Sequence, residues 1–415
     1  MAVTSTLQQG SADSTSQKIY WSEELQRLEI DWTETLGYPC KLIVSSWENG
    51  IEWWSELEDE THRPVLFAEP GLNFLAETDS PAIKQWQSTV LEHLLRALQP
   101  FRLWNFSLLQ MAFQWQEMKD LLVSNPALVW LAREYMDSHE VSFGKFRELL
   151  NCKQHQILEA IGLTGTKSAI RSLRRLQVES YSPRMAELVR QLWRQPSLVA
   201  RFNHQQKIDR PFMRLVQRLP WVAGRPLAKT LDTIDCRWQY EELIQLAMDA
   251  CSMSRHDPDI EERLACARSF AAVENIHNQV VEVFNADHQG HLARSMALTD
   301  DNGELLPFHS PPHPGTADIQ PILTPQALSN EGKRMNHCVG SYIRQVQDGE
   351  YFVYHMESPQ PLTIGVRVRL GRIISYDQIK GICNVQPDVV AKDKVLAWVK
   401  DAVTVSNALF KENSG

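Results

Sequence analysis

The residue types best suited to chemistry lie together in one short run near the end of the chain. Residues 331–342 read Glu-Gly-Lys-Arg-Met-Asn-His-Cys-Val-Gly-Ser-Tyr, so His337 and Cys338 are adjacent. A cysteine becomes a nucleophile when a base or a cation lowers the pKa of its thiol. Neighbouring residues of a helix point about 100° apart. His355 or Lys380 would therefore be a better base for Cys338 than His337.

A second interpretation of this run is a polar pocket that holds a phosphate group or a nucleotide. Gln378, Lys380 and Asn384 lie at the end of a predicted strand and in the loop after it, where polar groups often form a site. His337 would act there as a general acid or base. The predicted site residues are His337, Cys338, Tyr342, Gln378, Lys380 and Asn384.

Two further interpretations remain open. One is a metal site with the ligands His337, Cys338, His355 and Cys383. Their spacing fits no standard zinc motif, so we expect neither a metal nor another cofactor. The other is packing, in which Cys338 is a small buried residue, Gly340 permits close approach and His337 hydrogen-bonds a loop.

The residues before and after the pair predict a helix. Thr324 is its N-cap, and the proline that follows suits the first helical position. If the helix continues at about 100° per residue, its apolar face comprises Leu328, Met335, Val339, Tyr342, Ile343 and Val346, with Cys338 at the edge. His337 then falls on the opposite face with Lys333 and Arg344. Gly340 is the residue most able to break this helix.

Three strands and a closing helix complete the predicted module. Residues 351–356, 362–368 and 372–380 predict three antiparallel strands, and the second of them alternates apolar and polar side chains. Gln378 and Lys380 share one face of the third strand, because side chains repeat every two residues. An amphipathic helix follows at about 387–403. The module is therefore expected to be α+β, with a three-stranded antiparallel sheet.

The order and spacing of the motif residues match a known family. The first half is carried by Leu328, Glu331-Gly332, Met335, His337-Cys338-Val339-Gly340, Tyr342 and Gly349, and the second half by Thr363, Gln378, Lys380-Gly381, Asn384 and Pro387. Over about residues 300–405 the chain resembles the PcfJ-like family. The resemblance implies a mobile genetic element (a plasmid, an integrative element or a phage-related island), with conjugation or phage defence as the setting. It supplies no catalytic roles.

Charge is strongly segregated along the chain. The formal net charge is −9, yet residues 1–100 hold 16 acidic and 6 basic residues, a net of −10, whereas residues 144–225 hold 16 basic and 5 acidic residues, a net of +11. A basic region of this kind is typical of nucleic-acid binding. The alternative is that an acidic domain packs against a basic one within the chain.

The basic region contains a pattern that resembles a helix-turn-helix. Residues 146–162 and 163–176 predict two helices joined by a turn, with Thr164 or Thr166 as the second N-cap. The residues expected to contact nucleic acid are Lys167, Arg171, Arg174, Arg175, Arg190 and Arg194. Aromatic residues interleave with the later cations, among them Trp193, Phe202 and Phe212, and could stack on single-stranded bases. The alternative is a helical hairpin with core aromatics and a solvated basic face.

Length and composition predict several domains. The chain has 415 residues, 43% hydrophobic and 22% charged, with seven dispersed cysteines and no Cys-x-x-Cys pair, which is typical of a reducing cytoplasm. No signal peptide and no membrane span are expected. We expect a disordered lead-in at 1–16, a β-rich acidic domain at 17–80, an all-α region at 81–300, a Pro-rich linker at 301–323 and the PcfJ-like α+β module at 324–405.

Two function classes follow from the sequence. The first is a nucleic-acid-binding protein of a mobile element, whose basic region contacts DNA or RNA and whose C-terminal module binds a ligand or another protein encoded by the same element. The second is an enzyme, a nucleic-acid-processing or toxin-like effector, with its active site around His337.

Overall fold

The computed structural model describes residues 18–57, 80–101, 104–177, 181–234, 236–254, 257–287 and 291–413. The chain divides into two compact units, Met1–Gln217 and Arg218–Gly415. The predicted lead-in at 1–16 lies outside the described residues. The fold is α+β and multidomain, as the sequence predicts, with a sheet at each end of the chain and helices between them.

The first unit begins with an antiparallel sheet in the order β1-β2-β3-β4. Its strands are β1 (Lys18–Ser22), β2 (Arg27–Asp31), β3 (Cys40–Ser45) and β4 (Trp53–Leu57), with helix α1 (Thr33–Leu36) between β2 and β3. Alternate residues such as Leu28 and Ile30 are buried, which is the period of two that predicted strands here.

Most of the other described residues of the first unit are helical. The helices are α2 (Pro81–Thr89), α3 (Glu92–Leu98), α4 (Asn105–Gln114), α5 (Gln116–Ser124), α6 (Pro126–Ser138), α7 (Phe143–Leu150), α8 (Gln154–Ala160), α9 (Lys167–Leu173), α10 (Pro183–Trp193), α11 (Pro196–Arg201) and α12 (Arg210–Arg218). A short parallel pair joins β5 (Leu176–Gln177) to β6 (Ile208–Asp209). Thr166 is the N-cap of α9, because its Oγ1 accepts from the N–H of Ala169.

The second unit combines helices with the C-terminal sheet. Its helices are α13 (Pro226–Thr230), α14 (Arg237–Met253), α15 (Ile260–Ala265), α16 (Phe270–Ala286), α17 (His291–Met296), α18 (Pro325–Met335), α19 (Ile343–Gln347) and α20 (Val389–Asn413). A 3₁₀ helix, Cys338–Tyr342, lies between α18 and α19. In the ranges that the structure describes, no helix is long and apolar enough to cross a bilayer.

The C-terminal sheet has four strands, so the prediction of three is wrong by one. β8 (Tyr351–Met356), β9 (Leu362–Arg369) and β10 (Arg372–Lys380) are the predicted strands. The fourth, β7 (Ile319–Pro321), pairs antiparallel with β8 at the edge of the sheet. It lies inside the segment predicted as a Pro-rich linker. Three residues that end in proline carry no strand pattern, and an edge is where a strand tolerates proline.

The two faces of this sheet differ in chemistry. One face is apolar and packs against α20 through Phe352, Tyr354, Ile364, Val366 and Ile379, together with Val395 and Trp398 of the helix. The other face carries Thr363, Gly365, Gln378 and Lys380, which line a cavity. Since side chains alternate along a strand, burying one face against α20 directs the polar residues to the cavity.

Candidate functional sites

The helix that leads to the His-Cys pair ends before it. Asn336 takes the left-handed conformation, with φ of 49°, and closes α18. Asparagine tolerates this conformation better than most residues. His337 is then extended and caps the 3₁₀ helix. The expectation of one continuous helix is therefore wrong, and His337 is 3% exposed instead of lying on the solvent face.

Two glycines of the motif let α18 approach the 3₁₀ helix closely. A Cβ on Gly332 would lie 3.0 Å from the amide nitrogen of Gly340 and 3.2 Å from the carbonyl oxygen of His337. A Cβ on Gly340 would lie 3.3 Å from a ring carbon of Phe284 on α16. A larger residue at position 332 would push two backbones apart, and one at position 340 would press on the Phe284 ring, so both glycines help to place the His-Cys pair.

All six predicted site residues line one cavity. Its wall comprises His337, Cys338, Tyr342, Gln378, Lys380 and Asn384, together with Val339, Tyr351, Thr363 and Gly365. The cavity volume is about 20 Å³. That space holds about one water molecule, and not a nucleotide. The convergence agrees with the polar-pocket interpretation, but in this conformation the pocket has no room for its proposed ligand.

A buried carboxylate that the sequence did not reveal organises one side of the cavity. Asp249 Oδ2 accepts from the Tyr342 hydroxyl at 3.0 Å and from the Cys338 thiol at 3.4 Å. Gln245 donates to Asp249 Oδ1, and Gln378 donates to the Tyr342 oxygen. Burial raises the pKa of Asp249 to about 7.

A chain of hydrogen bonds runs from His337 to the protein surface. His337 Nδ1 accepts from the N–H of Val339, so its Nε2–H donates to Thr363 Oγ1 at 2.8 Å. The Thr363 hydroxyl donates to Glu331 Oε1, which also accepts from His355 Nδ1. Burial lowers the pKa of His337 to about 4, although Glu331 acts in the opposite direction. His337 is therefore neutral at neutral pH.

The cysteine is not set up as a nucleophile in this arrangement. Burial, together with Asp249, raises the pKa of the Cys338 thiol well above its ordinary value of 9.0. His355 hydrogen-bonds Glu331 and Glu357, and Lys380 pairs with Glu242 at 2.7 Å. The two groups predicted to activate the thiol therefore have other partners, and the geometry argues against the nucleophile interpretation.

The motif residues thus occupy one packed and hydrogen-bonded arrangement in the second unit. Residues 268–395 match the family model described as PcfJ-like protein. This part of the chain is similar to the PcfJ-like family. The match confirms the resemblance carried by the motif residues, and it begins at residue 268 instead of about residue 300. The PcfJ-like region therefore includes α16, whereas Asp249 and Glu242 of α14 lie before it. The comparisons with curated proteins and with solved structures gave no match.

The metal site considered from sequence is not assembled around the PcfJ-like motif. Cys383 is exposed and accepts from Asn336 Nδ2, and His355 is bound by two glutamates. Neither residue belongs to a group of three converging metal-ligand side chains anywhere in the described ranges.

The predicted nucleic-acid contacts fall into two groups. Lys167, Arg171, Arg174 and Arg194 are exposed. Arg175 is half-buried, and its guanidinium donates to the carbonyl oxygens of Asn203 and Gln205. Arg190 is also half-buried, and lies close enough to Glu134 to lower the pKa of that carboxyl, although burial outweighs this effect. Four of the six predicted contacts are therefore exposed cations, of which Arg174 donates a hydrogen bond to Gln154.

Three arginines line a concave surface beside α9. Arg171, Arg174, Arg175 and Asn203 enclose a groove of about 400 Å³. Burial lowers the pKa of Arg175, and the nearby charge of Arg171 lowers it further. Within the part of the chain that the structure describes, Lys167, Arg171 and Arg174 form no ion pair with a carboxylate. Trp193, Phe202 and Phe212 are fully buried, so they cannot stack on bases.

Proposed function

We propose that the protein is a cytoplasmic nucleic-acid-binding protein of a mobile genetic element. The basic surface formed by Lys167, Arg171, Arg174 and Arg175 would contact the phosphates of DNA or RNA. The PcfJ-like region would form a site for a ligand or for another protein of the same element. The observation that carries the proposal is the groove of arginines, for which the described residues supply no carboxylate partner.

The electrostatics of this groove favour a polyanion. Like charges held close together repel, and folding tolerates the repulsion when solvent or an anion screens it. Arg175 is held in place by two backbone carbonyls, so its position is set before any ligand binds. Arg171 and Arg174 on the same side of α9 can each form paired hydrogen bonds with phosphate oxygens.

The burial of the aromatic residues favours binding through phosphate contacts over stacking on unpaired bases. Stacking on unpaired bases requires exposed rings, and Trp193, Phe202 and Phe212 supply none. Phosphate contacts remain, and they carry little information about sequence. We therefore expect duplexes to bind with weak sequence preference, mainly through charge.

A binding measurement tests the proposal. Fluorescence anisotropy with labelled duplex DNA, duplex RNA and single strands would give Kd values for the full chain. We expect the double variant Arg171→Ala with Arg174→Ala to weaken binding at least ~10-fold, because each phosphate contact contributes to the affinity. The control is Arg96→Ala, which removes an exposed arginine that already pairs with Glu92. Equal affinity of the double variant and wild type would overturn the proposal.

An enzyme with its site around His337 is the second candidate, favoured by the convergence of six predicted residues on one cavity. Gln378→Ala and Lys380→Ala would test it in a conjugation or phage-infection assay. Loss of the phenotype with an unchanged melting temperature supports an active site. A parallel loss of stability instead supports a packing role.

A further inference from the structure

We propose that Asp249, His277 and Cys338 form a binding site for a transition-metal ion, and that Zn²⁺ is the ion best matched to it. The three side chains come from α14, α16 and the 3₁₀ helix, respectively. All three residues lie in the second unit, and the proposal does not depend on nucleic-acid binding.

The geometry of the three side chains is close to that of a metal site. One possible ligand atom from each residue lies within 4.8 Å of the other two, and all three residues are buried. Tetrahedral zinc with bonds of about 2.0–2.3 Å holds its ligand atoms about 3.3–3.8 Å apart. Cys338 Sγ and Asp249 Oδ2 already meet this distance at 3.4 Å. Ligand atoms separated by the full 4.8 Å would have to approach by about 1.0–1.5 Å to bind an ion.

In the described part of the chain, one ring nitrogen of His277 is buried without a hydrogen-bond partner, which supports its role as a metal ligand. His277 is 0% exposed, and among the described residues its Nε2 has no hydrogen-bond partner. Its Nδ1–H donates to Asn278 Oδ1 at 3.1 Å, which leaves the lone pair on Nε2. Unpartnered buried polar atoms are rare in folded proteins because they cost free energy. A histidine fixed by one nitrogen, with the other nitrogen free, is typical of a metal ligand.

The donor set selects the class of metal. A thiolate and an imidazole favour borderline ions such as Zn²⁺ or Co²⁺, whereas Mg²⁺ and Ca²⁺ require oxygen ligands. The thiolate and the carboxylate together balance the charge of a divalent ion. The proton of the Cys338 thiol, which Asp249 now accepts as a hydrogen bond, would be released to solvent on binding.

Of the three proposed ligands, Cys338 lines the small cavity, and a water molecule there would be the fourth ligand. Zinc bound by three protein side chains commonly holds a water molecule as its fourth ligand. The cavity of about 20 Å³ lined by Cys338, His337 and Tyr342 has room for one. Lys380 also lines it, and its charge is compensated by Glu242 at 2.7 Å.

Cobalt titration of the chelator-treated, untagged full chain tests the site. We expect one equivalent of Co²⁺ to bind, with thiolate-to-cobalt charge-transfer absorption in the near ultraviolet and the visible bands of tetrahedral cobalt. Zn²⁺ should displace the cobalt and remove both signals. A folded wild-type chain that binds well under one equivalent, or that binds cobalt without the charge-transfer band, would overturn the proposal.

Conservative variants assign the ligands. Cys338→Ser and His277→Gln should each weaken cobalt binding at least ~10-fold, and Cys338→Ser should also remove the charge-transfer band. Cys251→Ser is the matched control, since Cys251 lies two residues from Asp249 and outside the cluster. Circular dichroism of each variant checks that it folds. Wild-type affinity in a folded Cys338→Ser chain would contradict the assignment.

Discussion

At the scale of single residues, a few buried polar groups decide what the PcfJ-like region can do. Thr363 is 5% exposed and links the imidazole of His337 to the carboxylate of Glu331. The carboxylate of Asp249 accepts hydrogen bonds from Gln245, Cys338 and Tyr342. Because buried polar groups are costly without partners, these contacts hold the His-Cys pair in one arrangement.

Replacing the threonine link should destabilise the fold. Thr363→Val keeps the shape but leaves the Nε2–H of His337 and one bond to Glu331 without a partner. We expect the free energy of unfolding to fall by about 1–3 kcal/mol. Urea denaturation measures this, and Thr363→Ser, which keeps the hydroxyl, should lie much closer to wild type. Equal losses in both variants would show that packing, and not the hydrogen bonds, matters here.

A glycine on β9 makes room for a tyrosine. A Cβ on Gly365 would lie 1.8 Å from the Tyr351 oxygen, far inside contact distance. Gly365→Ala should therefore cost about 1–3 kcal/mol of stability, as overpacked cores do. Gly144→Ala is the control, because a Cβ there meets nothing within 4 Å and the position is helical. A thermal melt of Gly365→Ala that matches wild type would contradict the packing.

The sequence could predict which residues converge on the cavity, but not that Asp249 and His277 lie close to Cys338. His337, Cys338, Tyr342, Gln378, Lys380 and Asn384 were recognisable from their types, their order and the family motif. Asp249 was not, because it lies 89 residues before Cys338 and in no motif. His277 carried no signal in the sequence, since its free Nε2 is a property of the packed fold.

At the scale of elements, the sequence predicted most strands and helices of the C-terminal module but missed two local features. The sequence pattern predicted β8, β9 and β10, with period-two alternation in β9, and the apolar stripe predicted α20. The pattern missed β7, which has three residues, and missed the break at Asn336. A helical periodicity cannot reveal a single left-handed residue when apolar residues continue on both sides of it.

The contact between α18 and β8 should make stability depend on pH. Burial tends to lower the pKa of His355, but hydrogen bonds to Glu331 and Glu357 outweigh it and raise that pKa, with Arg334 opposing. Burial tends to raise the pKa of Glu331, but the same pairing outweighs it and lowers that pKa. The stability that protonated His355 contributes is fully present below its ordinary pKa of 6.5. It is lost as pH rises through the raised pKa of the folded state. The glutamate contribution is lost as pH falls below 4.5.

Stability curves in urea at several pH values test this window. The loss of stability in His355→Gln relative to wild type should be greatest between these two pKa values and should shrink at alkaline pH. His93→Gln, which removes an exposed histidine outside this network, is the control. A loss that grows as pH rises would contradict the sign of the linkage.

At the scale of the whole molecule, the segregation of charge is the feature that bears on function. The net charge of −9 hides a basic segment of +11. Composition could predict that segment, but not which of its cations stay at the surface. Arg190 faces Glu134, whereas Lys167, Arg171, Arg174 and Arg194 have no carboxylate partner in the described ranges. Among the described residues, no carboxylate therefore neutralises these four cations.

The salt dependence of nucleic-acid binding tests the central claim most directly. If three phosphates are neutralised on duplex DNA, the slope of log K against log salt concentration should be about −2.7, or about −0.9 for each phosphate. The triple variant Lys167→Ala, Arg171→Ala and Arg174→Ala should flatten the slope by about 2 or more. Arg96→Ala should leave it unchanged. Absence of binding at low salt, or an unchanged slope in the triple variant, would contradict a phosphate-binding role for this surface.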